Sequence, residues 1–312
     1  MIVVAGEALV DLVPTAQGTL APRPGGGPYN VAVAAGRLDA PVGFLSRVST
    51  DLFGDRLLDR LHAANVRTDL VQRGTEPTTL AVVGLSDDGS ARYSFYVEGT
   101  ADRQVTDPGP LPADVRAVSF GTLSLVLEPG ASTYERVLWR EAERGALTVL
   151  DPNIRAGLIH DPVGYRERYD SWLAHVGLLK VSVDDVRWLA ELDPEATEGE
   201  VLDVVRDWQS AGPAAVVLTR GGDGMAVLTG SGEVMSVPPA PVNVVDTIGA
   251  GDTVQGALLA WLHDHDALST EAVRGMDSGK WVEALTFAGA AAAVTCSRTG
   301  AEPPFKRELG MT

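Results

Sequence analysis

The sequence predicts an α/β fold, a three-layer α-β-α sandwich built on a mostly parallel central sheet, with a small β-sheet beside it. Along most of the 312 residues, short apolar runs of strand length alternate with segments of helical periodicity. This alternation indicates a parallel sheet that is covered by helices on both faces. Polar or glycine-rich loops follow the ends of the apolar runs. Residues 70–100 depart from the pattern and have the character of a β-hairpin.

The first part of the chain alternates between strand, loop and helix. Residues 2–5 predict a buried strand, with Asp11 at the strand's end. Residues 18–27 are rich in glycine and proline, which predicts a loop. A helix is expected from Val31, with Pro28 at a first-turn position where its missing N–H costs nothing. The next predicted elements are a strand over 42–48 and a helix over 52–64.

The rest of the chain adds one hairpin and then returns to alternation. Residues 80–85 and 91–97 flank the polar turn Asp87-Asp88-Gly89 and predict an antiparallel hairpin beside the main domain. The later predicted elements are strands at 116–120, 146–150, 176–181 and 214–219, helices at 130–144, 163–174, 183–191, 198–211, 250–263 and 277–296, and a second hairpin at 224–237. The sequence has no internal repeat and no low-complexity linker, so we expect one large domain with a small β appendage.

Composition excludes several kinds of partner. The net charge of −17 argues against nucleic acid and anionic membranes. A bound polyphosphate would therefore depend on local amides, a few Arg or Lys side chains and a metal ion. The single cysteine, Cys296, rules out an internal disulfide and favours a cytoplasmic location. We expect no signal peptide, because the sequence enters an apolar strand at Ile2 with no basic segment before it. We expect no membrane span, because no apolar run reaches about 18 residues.

Several familiar catalytic motifs are missing from the sequence. It has neither the Gly-x-x-x-x-Gly-Lys-Ser/Thr phosphate-binding loop nor the Gly-x-Gly-x-x-Gly of dinucleotide-binding folds. The Gly-x-Ser-x-Gly of hydrolases is also missing, and the five histidines have no zinc-binding spacing. In open α/β sheets ligands bind at the carboxyl ends of the strands. The loops predicted at those ends contain Asp11, Gly25–Asn30, Asp151–Arg155, Lys180, Thr219–Gly222 and Asp246–Asp252.

The most informative of these loops is Asp246-Thr247-Ile248-Gly249-Ala250-Gly251-Asp252, which precedes a predicted helix. Its glycines allow a sharp turn and close approach of a ligand, and the first helix amides form an anion site. Asp252 lies beside those amides, which suits phosphoryl transfer to a hydroxyl, with the carboxylate as proton acceptor. The same amides should lower the pKa of Asp252 and make it a weak base that mainly orients the hydroxyl. The alternative is a glycine-rich helix start in which Asp252 only stabilises the first turn.

The other loops could bind a polyol. A carboxylate such as Asp11 can accept hydrogen bonds from two hydroxyls, although it is also typical of a solvated strand end. The glycines before Asn30 expose bare backbone, or form a flexible loop. Asn153 and Arg155 would point the same way from an extended segment and act as donors, or lie in a surface turn.

Two motifs together resemble the ribokinase-like, or phosphofructokinase-B, family of carbohydrate kinases. Asp246–Asp252 matches the pattern Asp-Thr-x-Gly-Ala-Gly-Asp in full, and residues 25–32 match Gly-Gly-x-Pro-x-Asn-x-Ala. The resemblance covers essentially the whole chain, which implies a single kinase domain over 1–312. It also implies a β lid formed mainly by residues 12–24 and 70–103, which would close over the sugar and could pair with a second copy through the 80–97 hairpins into a homodimer.

The resemblance assigns roles to individual residues. Asp252 would be the general base, and the amides of Gly249, Ala250 and Gly251 would bind the transferring phosphoryl group. The sugar-binding residues would be Asp11, Gly26, Gly27, Asn30, Asn153 and Arg155. The ATP-binding residues would be Lys180, Thr219, Gly221, Gly224, Gly249 and Gly251, with helix 283–296 and Gly300-Ala301 beside the adenine. Asp185 would contact Mg²⁺ through water, and Asp246 a monovalent cation such as K⁺.

The sequence makes four departures from the family pattern, and the first two each involve two residues. Asp39 and Ser49 stand where many members have glycine, and Ser182-x-x-Asp185 replaces Asn-x-x-Glu. Val97 replaces an arginine after the lid tyrosine, and Ile248 a common threonine.

The sequence therefore predicts an ATP-dependent sugar kinase that acts on a primary hydroxyl. Fructose is favoured because residues 6–11 and 46–54 resemble the fructokinase branch. 2-Keto-3-deoxygluconate and ribose are alternatives. An acidic sugar would need a cation near the lid, for which Arg92 and Arg103 are candidates. A catalytically idle sugar-binding module and a nucleoside kinase with a more apolar sugar pocket also remain open.

Overall fold

The computed structural model describes residues 1–15, 17–85 and 91–310 of the chain. The predicted turn Asp87-Asp88-Gly89 lies outside the described residues. The strands are β1 Ile2–Ala5, β2 Leu9–Pro14, β3 Leu20–Gly25, β4 Val42–Ser49, β5 Val71–Gly74, β6 Thr79–Leu85, β7 Ala91–Tyr96, β8 Ala117–Gly121, β9 Leu147–Asp151, β10 Leu178–Ser182, β11 Ala215–Thr219, β12 Met225–Thr229 and β13 Val234–Val237. The helices are α1 Gly27–Arg37, α2 Leu52–Ala63, α3 Gly130–Glu143, α4 Pro162–Leu173, α5 Val183–Leu189, α6 Glu198–Ala211, α7 Ala250–Asp264, α8 Thr270–Arg274 and α9 Ser278–Cys296.

The main sheet confirms the predicted three-layer fold. Within the described residues it has nine strands in the order β13-β12-β11-β10-β9-β8-β1-β4-β5. Its neighbours are parallel except at one edge, where β12 and β13 form the predicted second hairpin. Side chains of the central strand β1 alternate between two apolar cores: Ile2 and Val4 belong to one, Val3 and Ala5 to the other. Helices therefore cover both faces, as the continuous apolar strand sequences indicate.

A second sheet, called the small sheet below, has four strands in the order β3-β2-β6-β7. It corrects two sequence interpretations. Residues 20–25, predicted as loop, form β3 and pair antiparallel with β2. Pro22 and Pro24 disguise this strand, but an edge strand can lack those N–H donors. Asp11 lies within β2 of the small sheet rather than at the end of the first strand, because the chain leaves the main sheet after Ala5.

Helix boundaries agree with the predictions to within a few residues, with one instructive exception. Helix α1 begins at Gly27 rather than Val31, and Pro28 occupies its first turn as expected. The sequence pattern also missed the short elements β5 and α8.

Asp39, which stands where many members of the carbohydrate kinase family have glycine, has φ of 64°. Aspartate adopts this left-handed conformation more readily than most other residues, so the substitution is tolerated.

The packing of α1 against α7 matters most for the site described below. Gly256 of α7 faces α1 so closely that a Cβ atom there would lie 2.6 Å from Ala34 Cβ and 2.7 Å from the Val31 carbonyl oxygen. This close approach brings Asn30 of α1 next to Asp252 of α7.

None of the described helices is both long and apolar enough to cross a membrane.

We predict that Gly256→Ala destabilises the protein by about 1–3 kcal/mol, because the added methyl must separate two packed helices. Urea unfolding measures the change. Gly289→Ala in α9 is the matched control: its Cβ would meet only the mobile Met225 side chain, at 3.4 Å. That substitution should leave stability unchanged or raise it by up to about 1 kcal/mol through helix propensity. Equal effects of the two substitutions would contradict the tight α1–α7 packing.

Candidate active site

A cavity of about 300 Å³ opens between the carboxyl ends of the main-sheet strands and the small sheet. The loops after β1, β8 and β9 contribute to it, as does the start of α7, while β2 and β7 contribute from the small sheet. Its lining residues are Glu7, Leu9, Asp11, Gly26, Gly27, Asn30, Phe95, Thr122, Leu123, Asn153, Arg155, Thr247, Ile248, Gly249, Gly251 and Asp252. The structure therefore gathers all six predicted sugar-binding residues and Asp252 around one space.

The Asp252 carboxylate lies in the first turn of α7 and is only 8% exposed. Its Oδ2 accepts a hydrogen bond from Asn30 Nδ2 at 2.9 Å. Burial raises the pKa of Asp252, and this effect outweighs the lowering by the Asn30 hydrogen bond and by the charges of Lys180 and Arg155. The expectation that the helix amides lower this pKa is therefore wrong. Asp252 is a stronger base than an aspartate in water.

The turn before Asp252 leaves the helix terminus open to a ligand. Gly249 is the N-cap of α7 in the left-handed conformation, with φ of 76°, and no side chain caps the helix. A Cβ on Gly249 would lie 2.5 Å from Ala301 Cβ, so only glycine fits. The Asp246 carboxylate holds the turn, since Oδ1 accepts from Ile248 N at 3.0 Å and Oδ2 from Gly300 N at 2.8 Å. Uncapped amides at a helix start suit the predicted anion site, although Ala250 N already donates to the Thr247 carbonyl oxygen at 3.2 Å.

Asp11 reaches the cavity from the small sheet. Burial, followed by repulsion from Asp252, raises the pKa of Asp11 to about 6, while Arg155 acts in the opposite direction. A Cβ atom on Gly25 would lie only 2.2 Å from Asp11 Oδ2, so a residue with a side chain would clash with the carboxylate there. The Asp252 carboxylate in the first turn of α7 thus influences the ionisation of Asp11 on β2 across the same cavity.

Asn153 and Arg155 line the cavity, but not in the extended segment that the sequence suggested. Asn153 has φ of 40°, and the Arg155 guanidinium folds back to donate to Asn153 Oδ1 at 2.7 Å. The two side chains are therefore hydrogen-bonded to each other rather than parallel.

Lys180 lies deeper in the site than its sequence position suggests. It is 4% exposed, and Nζ lies 2.5 Å from Asp151 Oδ2. Burial alone would lower the pKa of Lys180, but the Asp151 carboxylate raises it and keeps the ammonium charged. Nζ also lies 3.3 Å from the position that a Cβ on Gly251 would take. The Lys180 charge therefore lies directly behind residues 246–251, which are called the anion turn below.

The other predicted residues lie outside the cavity lining. Thr219, Gly221 and Gly224 form the turn that joins β11 to β12, and a Cβ on Gly224 would lie 2.2 Å from the Val237 carbonyl oxygen. Ser182 is the N-cap of α5 and forms a capping box with Asp185. Asp185 Oδ1 also accepts from Ile154 N at 2.7 Å. In the parts of the chain that the structure describes, no three His, Cys, Asp or Glu side chains gather where they could hold a metal ion.

Sequence reasoning missed Glu7 as a site residue. Glu7 is 2% exposed, and its two oxygens accept from Gly27 N at 3.2 Å and Ser124 N at 3.0 Å. Burial raises the pKa of Glu7 to about 8. Glu7 therefore ties the start of α1 to the loop after β8. The sequence does contain a signal for Glu7: this acidic residue follows an apolar strand directly and precedes further apolar residues, which indicates a buried carboxyl group. The apolar wall formed by Leu9, Phe95 and Leu123 has no such signal.

Comparisons with known proteins agree with this geometry. The model of the pfkB family carbohydrate kinases matches residues 1–307. The chain is 37% identical over 283 residues to a fructokinase of Rhizobium leguminosarum bv. trifolii, which covers 89% of this chain and 84% of the relative. It is 32% identical to probable fructokinase-4 of Arabidopsis thaliana over 99% of this chain and 94% of the relative.

Two solved structures show the same architecture. The fructokinase of Xylella fastidiosa with bound ATP superimposes with a TM-score of 0.88 at 27% identity, covering 99% of this chain and 97% of that one. The fructokinase of Vibrio cholerae O395, in a form with fructose, ADP and calcium ion bound, superimposes with a TM-score of 0.85 at 25% identity, with the same coverage.

Proposed function

The chain belongs to the pfkB family of carbohydrate kinases, and we propose that it transfers the γ-phosphate of ATP to the primary hydroxyl of fructose. The observation that carries the proposal is the buried Asp252 carboxylate at the uncapped start of α7, facing a cavity that also contains Asp11 and Asn30. A proton acceptor and an anion site lie side by side, as phosphoryl transfer to a hydroxyl requires.

The choice of sugar rests on the relatives and on the size of the cavity. Relatives named fructokinase match most of this chain, and the Vibrio cholerae structure contains fructose and ADP. A cavity of about 300 Å³ is at the small end of ligand pockets, which suits a monosaccharide.

In the proposed mechanism Asp252 orients the primary hydroxyl and accepts its proton as the phosphoryl group is transferred. Because the pKa of Asp252 is raised, this carboxylate accepts a proton more readily than a solvent-exposed aspartate in the first turn of a helix would. Asp11, Asn30 and the backbone of Gly26 and Gly27 bind the other hydroxyls, assisted by Asn153 and Arg155. The apolar wall packs against the sugar carbons and limits access of water.

We assign the nucleotide phosphates to the anion turn. The amides of Gly249, Ala250 and Gly251 would bind the transferring group, with the Lys180 charge behind them. The turn that contains Thr219, Gly221 and Gly224 would bind the remainder of ATP.

The residues present fit a Mg²⁺ ion that arrives with the nucleotide. Mg²⁺ sites commonly use one or two carboxylates together with substrate phosphates, so a carboxylate cluster is not required. When bound, Mg²⁺ would neutralise phosphate charge. Asp185 would contact it through water, and Asp246, which already fixes the turn, would lie beside a monovalent cation such as K⁺.

The second candidate substrate is 2-keto-3-deoxygluconate, which the Arg155 side chain in the cavity favours. Arg103 does not add to that case. Its guanidinium donates to the carbonyl oxygens of Glu128 and Val97 and pairs with Glu98. Arg92 lies on β7, and its side chain is not among the described parts of the structure.

We further propose that the small sheet acts as a lid over the sugar and that the enzyme works in the cytoplasm. Strands β2, β3, β6 and β7 fall largely within the lid ranges expected from the sequence, 12–24 and 70–103, which supports the proposal for those strands. Strand β5, within the second range, belongs to the main sheet. Tyr96 on the edge strand β7 is 62% exposed, which supports pairing of two lids in a homodimer.

A coupled assay with Mg²⁺ and ATP across fructose, ribose, 2-keto-3-deoxygluconate and adenosine tests the substrate proposal. We expect the highest kcat/KM for fructose. A higher value for the keto acid would establish the second candidate, and a higher value for ribose or adenosine would overturn both. Sugar binding in calorimetry without turnover of any compound would instead identify a catalytically idle regulatory module.

We predict that Asp252→Asn lowers kcat about 100- to 10,000-fold, because an amide cannot accept the hydroxyl proton. The KM for fructose should change little, because the other hydroxyl contacts remain and an asparagine oxygen can still accept from Asn30. Steady-state kinetics measure both constants. Asp264→Asn, an exposed change near the other end of α7, is the control. A kcat near that of the control would remove Asp252 from the proposed chemistry.

Asp11 predicts a pH dependence of sugar binding. Its pKa of about 6 means that the carboxylate becomes protonated below that pH and can no longer accept two hydroxyls. The KM for fructose should therefore rise as pH falls, by about tenfold at pH 5 for a single proton. In Asp11→Asn, KM should be higher throughout and independent of pH over this range, while the pH profile of kcat is retained. A KM profile identical in both proteins would show that another group titrates.

A further inference from the structure

The anion turn rests on a segment at the far end of the chain. Residues 300–303 follow α9 and pass directly behind the turn: Gly300 N donates to Asp246 Oδ2, and Ala301 fills the space beside Gly249. If this segment moved away, Gly249 would lose its packing partner and Asp246 one of its two donors. The direction of the turn amides therefore depends on where this segment lies.

Two arginines from other helices hold the segment through Glu302. Arg37, the last residue of α1, donates to Glu302 Oε2 at 2.9 Å and to the Pro303 carbonyl oxygen at 2.7 Å. Arg60 of α2 pairs with Glu302 Oε1 at 2.8 Å and also donates to the Ala301 carbonyl oxygen. The segment is thus held at the Glu302 side chain and at the carbonyl oxygens of Ala301 and Pro303 on either side of it.

The burial of the two arginines separates this cluster from an ordinary surface ion pair, while the Glu302 side chain is 39% exposed. The side chains of Arg37 and Arg60 are only 14% and 16% exposed, and the Arg37 guanidinium lies 4.9 Å from the centre of the Phe305 ring. Exposed ion pairs contribute little because water competes for both partners. Here both oxygens of one carboxylate are occupied by different arginines, which fixes its position more firmly than one exposed pair can.

We propose that Arg37, Glu302 and Arg60 are positioning residues for phosphoryl transfer. Their ion-pair cluster fixes residues 300–303 behind the anion turn and so aims the amides of Gly249–Gly251. This inference rests on the proposed kinase function, because it concerns the same turn. It predicts a loss of kcat rather than of sugar affinity, since Asp11 and Asn30 lie on β2 and α1, outside the segment that would move. Small displacements of catalytic groups are enough to lower rates strongly.

The test compares Arg60→Met with Arg140→Met. Arg140 is a close structural match remote from the cavity: it pairs with Asp107 at 2.9 Å and donates to the Gly109 carbonyl oxygen at 2.6 Å. We expect Arg60→Met to lower kcat about 10- to 100-fold with the fructose KM within about twofold. Arg140→Met should leave both constants near the wild-type values. Glu302→Gln, a milder change, should lower kcat in the same direction, and Arg60→Lys should restore part of it.

Hydrogen exchange provides a readout that does not depend on turnover. Amides of residues 246–252 should exchange faster in Arg60→Met than in the wild type or in Arg140→Met. Unchanged exchange in this stretch would overturn the proposal, and so would a kcat loss no larger than that of Arg140→Met. If the wild-type protein phosphorylates no sugar, the kinase proposal fails while the exchange comparison still decides whether the cluster positions the turn.

Discussion

The burial of the Asp252 carboxylate between α1 and α7 is the constraint on which the rest of the site depends. Gly256 allows the two helices to approach closely, and Asn30 then donates a side-chain hydrogen bond to the buried carboxylate. One neutral donor does not compensate for the loss of water, so the pKa of Asp252 rises. The same packing that stabilises the three-layer fold therefore gives the first-turn aspartate its basicity. A more exposed helix start would keep the anion site and lose the base.

The charge distribution around the cavity explains why the anion site consists of backbone. The chain carries a net charge of −17, and Asp11 and Asp252 both face this cavity. Lys180 is already paired with Asp151, so much of its charge is compensated locally. An incoming phosphate must therefore rely on oriented amides, whose dipoles attract an anion without the mobility of a long side chain. This requirement accounts for a turn that is fixed from behind by Asp246, Ala301 and the arginine–glutamate cluster.

The sequence predicted the layers of the fold and most of the cavity lining, because apolar periodicity and glycine-rich strand ends are local signals. It failed where the outcome depended on distant packing. Strand β3 is hidden by Pro22 and Pro24, which are tolerated only because the strand lies at a sheet edge. The direction of the Asp252 pKa shift depends on α1, more than two hundred residues away in the chain. Glu302 and its arginines have no motif at all, since three separate segments meet only after folding.

The two carboxylates that face the sugar site also couple binding to ionisation. Asp11 comes from the small sheet and Asp252 from the first turn of α7, and the Asp252 charge disfavours ionisation of Asp11 across the cavity. A polyol that donates hydroxyls to both would stabilise both ionised forms, because hydrogen bonds to a carboxylate favour its charged state. Sugar binding would then favour release of the Asp11 proton near pH 6. The arrangement thus favours the ionised form of Asp11 once the substrate contacts both the small sheet and the start of α7.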